Sequence, residues 1–148
     1  MPHRLGISGE PLPLKALSRL LLRPSAREKS SLVSRDILFI GPPSGSAPAQ
    51  EDMIVEKFGR TTSYSVGRIS SIDTDVSVTY DAGPLTFTGQ IIVEGLGGQS
   101  FSDAGDSGSL ILERETKKGV ALLFAGSASH TIANHIENVL QAMGVSLA

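Results

Sequence analysis

The sequence predicts an all-β fold, an antiparallel barrel followed by one C-terminal helix. Sixteen glycines and eight prolines among 148 residues predict many turns, which is typical of β-rich proteins. Short apolar runs alternate with turn residues, and no strand–helix–strand rhythm of ~30 residues is present. These observations favour an antiparallel barrel of about six strands over a parallel sheet.

Residues 1–36 differ in composition from the rest of the chain. They hold seven of the thirteen Lys and Arg residues but only three of the fifteen acids. Residues 14–23 carry leucines at helical spacing, which could form a short basic amphipathic helix. We interpret 1–36 as an irregular basic N-terminal arm, with binding to a membrane surface or a partner as the alternative. The barrel is assigned to residues 37–148.

The strands are predicted from the alternation of apolar and polar residues. Residues 76–80 alternate cleanly, 81–84 carry the turn signal Asp-Ala-Gly-Pro, and 85–93 form the return strand of a hairpin. A second hairpin is predicted on either side of the charged turn at 113–118. The further β segments are 37–40, 53–58, 64–72, 109–112 and 120–124.

The C-terminal helix is predicted over residues 133–143. Its apolar residues, Ile136, Val139, Leu140 and Met143, follow one another at helical spacing. The barrel is therefore expected to end on a helix that packs against it.

Composition and spacing exclude several classes of function. The net charge of −2 gives no indication of a nucleic-acid partner, and the lack of cysteine excludes disulfides, thiolate metal sites and a cysteine nucleophile. The glycine-rich loop at 95–98 lacks a following Lys-Ser/Thr, so it is not a phosphate-binding loop. Asp73, Asp75 and Asp81 are interpreted as turn and strand-edge residues, because their spacing does not fit a calcium loop. We expect no cofactor and no metal.

Nothing in the sequence is recognised as a signal peptide or a transmembrane segment. The most apolar candidate, residues 17–22, is short and contains Arg19. The sequence therefore assigns the chain to no compartment, and no membrane partner is expected.

The motif Gly105-Asp106-Ser107-Gly108 directly precedes an apolar strand. Glycines on both sides of a serine let the backbone turn sharply and let a substrate come close. Backbone N–H groups around such a serine can stabilise an oxyanion. This arrangement is a common way to present a nucleophilic serine.

Three segments, and their order along the chain, resemble the chymotrypsin-like (trypsin-fold) serine proteases of bacteria. In chain order they are Val55-Glu56-Lys57-Phe58-Gly59-Arg60-Thr61-Thr62, the serine motif at 105–110, and Leu122-Leu123-Phe124-Ala125-Gly126-Ser127 followed by Thr131-Ile132-Ala133-Asn134. The resemblance covers about residues 37–145. It implies the second, six-stranded barrel of that fold, and a peptide or protein as substrate.

The resemblance also implies roles for individual residues. Ser107 would be the nucleophile, and the N–H groups of Gly105 and Ser107 would form the oxyanion hole. Asp106 belongs to the motif but is not the triad acid. The substrate-binding residues would be a strand edge that pairs with the peptide backbone and two residues near the side-chain pocket, namely Ala125, Gly126, Ser127, Phe101 and Ser102.

The sequence departs from the family pattern at three points. Ser63 replaces a usual glycine, and His135 replaces a usual proline. The third departure concerns the triad His and Asp, which in this family precede the serine and come from the first barrel. His3 is the only histidine upstream of Ser107, and Asp36 directly precedes the predicted barrel; neither has the family's sequence context.

A serine hydroxyl is a poor nucleophile without a base. His130 and His135 follow Ser107 and could act as the base, but a loop or capping role is the favoured interpretation. Two hypotheses remain. The chain is either a serine-endopeptidase-like barrel that needs a His and an Asp from outside it, or a non-catalytic module that binds peptides or partners. Either a separate first barrel or self-association would cover its exposed apolar surface.

Overall fold

The computed structural model describes residues 3–5, as backbone, and residues 34–147. Seven strands and one helix lie within these ranges. The strands are β1 (His3–Leu5), β2 (Ile54–Gly59), β3 (Ser63–Tyr80), β4 (Gly83–Gly95), β5 (Leu110–Glu113), β6 (Gly119–Gly126) and β7 (Thr131–His135), and the helix is α1 (Ile136–Met143). The amphipathic helix considered at 14–23 lies outside the described residues.

Six strands form one antiparallel sheet that curls back on itself. The order is β3-β2-β5-β6-β7-β4, and the additional pairing of β3 with β4 brings the two ends together. Strand β1 adds to the outside of β3 in parallel, with His3 opposite Thr74. The predicted all-β, antiparallel fold with six barrel strands and a C-terminal helix is confirmed.

The long hairpin of β3 and β4 is the largest element of the sheet. Its turn lies at residues 81–82, as the sequence predicts, and Tyr80 pairs with Gly83. The two predicted strands at 64–72 and 76–80 are one strand of eighteen residues. Register shifts between Ile69 and Val76 mark irregularities in its pairing with β4. Such irregularities bend a strand, which lets one long strand serve two parts of the barrel.

The barrel interior is filled by aliphatic side chains from β2 to β7. Val55, Ile91 and Ile111 have no exposed surface, and they belong to one buried cluster with Phe101 and Leu123. A smaller cluster joins Phe87 and Phe124, whose ring centroids are 4.8 Å apart. Burial of this apolar surface is the main term that stabilises the barrel.

Two predicted elements differ from the structure. Residues 37–40 form a tight turn closed by a bridge between Ile37 and Gly41 rather than a strand. Residues 133–135 belong to β7, and the helix begins only at Ile136. Both segments are too short to show a reliable hydrophobic period, so their neighbours in the tertiary structure decide their conformation.

Helix α1 packs on the barrel through Ile136 and Val139, which are buried. It ends at Gly144, whose left-handed conformation (φ 65°) lets its N–H bond back to the last turn. Among residues 34–147, no helix has the length and apolar character needed to cross a membrane.

Candidate functional site

Ser107 lies exposed in a tight turn just before β5. Gly105 and Gly108 on either side of it have φ values of 100° and 91°, in the region that favours glycine. The Asp106 N–H donates to the carbonyl of Asp103 at 3.1 Å, which closes the turn. A Cβ at Gly105 would lie 2.5 Å from Thr61 Oγ1. Backbone conformation and lack of space both therefore require glycine at position 105.

The side chain of Asp106 points inward and fixes this turn from behind. It has no exposed surface. Its Oδ1 accepts the Thr61 N–H at 2.7 Å and the Thr62 N–H at 3.2 Å. Its Oδ2 accepts the Thr62 hydroxyl at 2.6 Å and the Asp103 N–H at 3.0 Å. One carboxylate thus ties the Ser107 turn to the β2–β3 turn.

Lys57 on β2 supplies the matching positive charge. Its Nζ lies 3.6 Å from Asp106 Oδ2, and neither side chain is exposed. The ammonium donates to Thr62 Oγ1 at 2.6 Å, and it also lies 5.4 Å from the centre of the Phe101 ring. The two charges are therefore paired and hydrogen-bonded, which is the condition for burying them.

Burial and hydrogen bonding act in opposite directions on these charges. Burial raises the pKa of Asp106, but the hydrogen bonds from Thr62, Asp103 and Thr61 outweigh it and lower the pKa to about 2. Burial lowers the pKa of Lys57, and the attraction of Asp106 offsets part of that effect. Asp106 is therefore ionised throughout the neutral range, as a structural anion.

The backbone N–H groups of Gly105 and Ser107 lie at the front of the same turn. Within residues 34–147, neither group donates a hydrogen bond to another part of the chain. Their neighbours do: the Gly108 N–H donates to the carbonyl of Leu123 at 2.7 Å. Among the described residues, the N–H groups of Gly105 and Ser107 therefore remain available to a ligand.

The Ser107 hydroxyl itself donates to the carbonyl of Phe124 at 3.1 Å. This contact joins the serine to β6 near the point where the pairing of β6 with β5 ends at Leu122. Beyond it, Ala125 and Gly126 pair only with β7 among the described strands. The segment predicted to bind a peptide backbone, Ala125–Ser127, thus begins beside Ser107 at an unpaired edge.

A cavity of about 260 Å³ lies between the Ser107 turn and this edge. One wall comes from residues 100–104 and the other from residues 125–128, with Leu123 and Ser107 also lining it. Ser102, Ala125, Gly126 and Ser127 therefore surround one space next to the serine hydroxyl. Phe101 does not line it, because its ring is buried beneath in the core cluster.

The two histidines of residues 34–147 are hydrogen-bonded away from Ser107. His130 Nδ1 bonds to Ser129 Oγ at 2.8 Å, and its Nε2 lies 3.5 Å from Glu94. His135 Nε2 bonds to the carbonyl of Ile72 at 2.8 Å. Neither ring is placed as a base for the serine. Asp36 is exposed on the segment before the barrel.

The two single-residue departures from the family pattern have local explanations. Ser63 has φ 55°, a left-handed conformation that a glycine adopts without strain. His135 has φ −57°, which a proline ring also permits. The backbone thus keeps the same conformation that the usual residues would favour.

A larger cleft of about 670 Å³ lies elsewhere on the barrel, between residues 50–54 and 113–115. It contains none of the motif residues, and its wall includes Glu51, Asp52, Glu113 and Glu115. We therefore base the functional interpretation on the smaller cavity, which is lined by Ser107 and by Ser102, Ala125, Gly126 and Ser127.

Lys57 and Thr62, which hold Asp106 in place, were not predicted as site residues. A signal existed: Lys57 alternates with Val55 and Gly59, so it lies on the inward face of β2. A lysine at such a position requires a buried acid. Thr131 was also not predicted as a site residue. Its hydroxyl lies 2.5 Å from that of Ser102, which lines the cavity.

Solved structures of bacterial serine proteases share this fold. Protease A of Thermobifida fusca is 24% identical, with a TM-score of 0.58, over 72% of this chain and 54% of that protein. The chymotrypsin of Cellulomonas bogoriensis is 25% identical, with a TM-score of 0.56, over 70% of this chain and 53% of that protein.

A protease of Nocardiopsis is 20% identical with a TM-score of 0.56, and the match covers 70% of this chain and 52% of that protein. No family model matches the sequence, and no curated protein does. The chain therefore spans about half the length of the solved proteases that it matches.

Proposed function

We propose that this chain, which shares its fold with one barrel of the bacterial chymotrypsin-like serine proteases, is the nucleophile-bearing half of a serine endopeptidase. The observation that carries the proposal is an exposed Ser107 that lines a cavity beside a strand edge, in a turn whose Gly105 and Ser107 N–H groups have no acceptor among residues 34–147. A peptide would be bound here and attacked at one carbonyl.

The proposed roles follow from the positions of the groups. The peptide backbone pairs with Ala125–Ser127, and the side chain before the cleaved bond enters the cavity beside Ser102. The Ser107 oxygen then attacks the carbonyl carbon, and the N–H groups of Gly105 and Ser107 stabilise the oxyanion. Collapse of this intermediate releases the amine and leaves an acyl-enzyme, which water hydrolyses.

This chemistry needs a base that the described residues do not place at Ser107. His130 and His135 bond elsewhere, and Ser107 donates its proton only to a backbone carbonyl, which is a poor base. We therefore propose that the His and the Asp come from outside residues 34–147, and that this barrel is inactive alone. The half-length match with the solved proteases supports this part of the proposal.

Exposed aromatic surface supports the same idea. Phe39 is 89% exposed, and its ring stacks on Phe58 with centroids 5.9 Å apart and lies tilted beside Tyr64 with centroids 6.5 Å apart. Leu38 beside it is 67% exposed. We propose that a His- and Asp-bearing barrel covers this aromatic patch, and that the isolated chain self-associates. A monomer in sedimentation velocity at about 50 µM would contradict this part.

A fluorophosphonate probe tests the proposal, because it forms a covalent bond with an activated serine. The pure chain should label slowly, and 0.5 M imidazole should raise the rate about tenfold by acting as the missing base. Mass spectrometry should find the adduct on Ser107. Ser107→Ala should abolish labelling, and Ser129→Ala, which removes another exposed serine hydroxyl, should not.

Two results would contradict different parts of the proposal. Rapid labelling of Ser107 without imidazole would show that a base is present and would overturn the inactive-half proposal. No labelling of Ser107 in a folded chain with imidazole, or equal labelling of other serines, would overturn the role of Ser107 as a nucleophile.

A further inference from the structure

We propose that the cavity beside Ser107 selects a neutral carboxamide side chain, that of Gln or Asn, in the residue before the cleaved bond. The inference rests on the proposed function, since it specifies which peptide the same site accepts. It is drawn from the hydrogen-bonding groups and the charges that line the cavity.

Ser102, which lines the cavity, shares a hydrogen bond with the buried Thr131 behind it. Ser102 Oγ and Thr131 Oγ1 are 2.5 Å apart, and the two residues are 3% and 2% exposed. The pair has two hydroxyl protons, and their mutual hydrogen bond uses one of them. Within residues 34–147 the other proton has no acceptor. An occupant of the cavity that brings an acceptor would satisfy it.

The wall formed by β6 adds a second unused donor. Ser127 Oγ accepts the His130 N–H at 3.3 Å, but its own proton has no acceptor among residues 34–147. Ser100 differs, because its hydroxyl already donates to the carbonyl of Ala128 at 2.8 Å. The cavity thus offers hydroxyl donors at Ser102 and Ser127, and an oxygen atom is the group that would pair with them.

Charge decides which kind of oxygen fits. Among residues 34–147, no lysine or arginine lines the cavity, whereas Asp103 does. Beyond the lining, Glu94 is shared among the described residues by His130 Nε2 at 3.5 Å and Arg68 Nη2 at 3.9 Å. A carboxylate side chain would enter next to an anion and lose its hydration without a cation in return. A neutral amide oxygen carries no such penalty.

The remaining side-chain classes fit less well. An aliphatic side chain would bury the Ser102–Thr131 pair with one donor unsatisfied, which costs free energy. An ammonium group could pair with Asp103, but it brings no acceptor for the unused hydroxyl protons. A carboxamide presents an acceptor to the hydroxyls and an NH₂ group that can donate to Asp103 or water. The cavity of about 260 Å³ has room for a side chain of this size.

Product-like tetrapeptides test this selectivity without requiring activity. The peptides acetyl-Ala-Ala-Ala-X, with X as Gln, Asn, Glu, Leu or Lys and a free carboxylate, are titrated into the full chain and followed by amide chemical shifts. We expect the tighter of the Gln and Asn peptides to bind about tenfold more tightly than the Glu, Leu or Lys peptide. The shifts should include the amides of Ser102 and Ser127.

A matched pair of variants locates the selectivity. Ser102→Ala should reduce the preference for the carboxamide over Leu to about twofold or less, because its loss removes the hydroxyl pair. Ser129→Ala, which removes an exposed hydroxyl outside the cavity, should leave the preference unchanged. Retention of the full preference in Ser102→Ala would overturn the assignment to this hydroxyl pair.

The binding results distinguish a failure of the carboxamide inference from a failure of the proposed peptide-binding function. Binding that is tightest for Glu, Leu or Lys, or equal for all five peptides, overturns the carboxamide inference and leaves the peptide-binding proposal intact. Binding of none of the peptides by a folded chain overturns both.

Discussion

The two sides of the Ser107 turn are built in opposite ways. Behind it, Asp106 and Lys57 are fully buried, and four hydrogen bonds hold the carboxylate. In front of it, Ser107 is exposed and lines a cavity, and among the described residues the N–H groups of Gly105 and Ser107 have no hydrogen-bond acceptor. The rear side fixes the geometry, and the front side leaves groups available to a ligand.

Within the motif at residues 105–108, the buried side is therefore expected to determine stability, and the exposed side to determine reactivity and binding. Substitutions behind the turn should change the free energy of unfolding strongly, because they disturb buried charges. Substitutions in front should change labelling or binding and leave stability almost unaltered. Measurements on both sides therefore show whether the division is real.

The largest effect is expected from Asp106→Ala. The substitution leaves the Lys57 ammonium buried without its acid and removes four hydrogen bonds, so the free energy of unfolding should fall by about 4 kcal/mol. Urea denaturation measures it. Asp73→Ala, at an exposed carboxylate, should change the value by less than about 0.5 kcal/mol. Similar losses of unfolding free energy in the two variants would contradict a special structural role for the buried Asp106 carboxylate.

Gly59→Ala should destabilise the chain by about 2–3 kcal/mol. A Cβ at this position would lie 2.3 Å from Asp106 Oδ1, so either the carboxylate or the β2–β3 turn has to move. A double-mutant cycle with Asp106→Ala checks the cause. The added cost of the alanine should largely disappear when the carboxylate is absent, and full additivity would contradict the proposed clash.

Acid should destabilise the folded chain over the pH range in which Asp106 becomes protonated. The pKa of Asp106 is about 2 in the folded chain and 3.8 as its ordinary value, so ionised Asp106 favours the folded state. This contribution of about 2 kcal/mol is complete well above pH 4 and is lost as the pH falls towards 2. Stability measured from pH 6 to pH 2 should fall less steeply in Asp106→Asn. Parallel curves for the two proteins would show that another group is responsible.

Ser107→Ala should have the smallest effect on stability. The hydroxyl is exposed and makes one hydrogen bond, to the Phe124 carbonyl, so the free energy of unfolding should change by less than about 0.5 kcal/mol. The same variant should lose all imidazole-dependent labelling by fluorophosphonate. A large loss of stability would mean that Ser107 is a structural turn residue, contrary to the division between the two sides.

The sequence predicts the presentation of Ser107 well because its cause is local. Gly105 and Gly108 adopt positive φ values that glycine permits, and the motif around Ser107 alone indicates a sharp turn before a strand. The β3–β4 hairpin is predictable for the same reason, since alternation and the turn at 81–84 lie within one stretch of chain.

The sequence fails where distant residues decide the conformation. Residues 37–40 are apolar enough for a strand, but they form a turn whose Phe39 stacks on Phe58 and contacts Tyr64. Thr131–His135 continues smoothly into the helix in sequence, but pairing with β4 and β6 makes it a strand. Pairing between strands far apart in the chain leaves little trace in a local period.

The sequence by itself determined the antiparallel β architecture, the exposed serine between glycines and the place of the final helix. Each of these follows from backbone preference and hydrophobic period over a few neighbouring residues. Only the tertiary structure decided that Lys57 meets Asp106 across 49 residues of chain, and that the Ser102 hydroxyl meets Thr131. Buried charges and hydroxyls are tolerated only where the folded chain brings them a partner, and no local pattern specifies which partner that is.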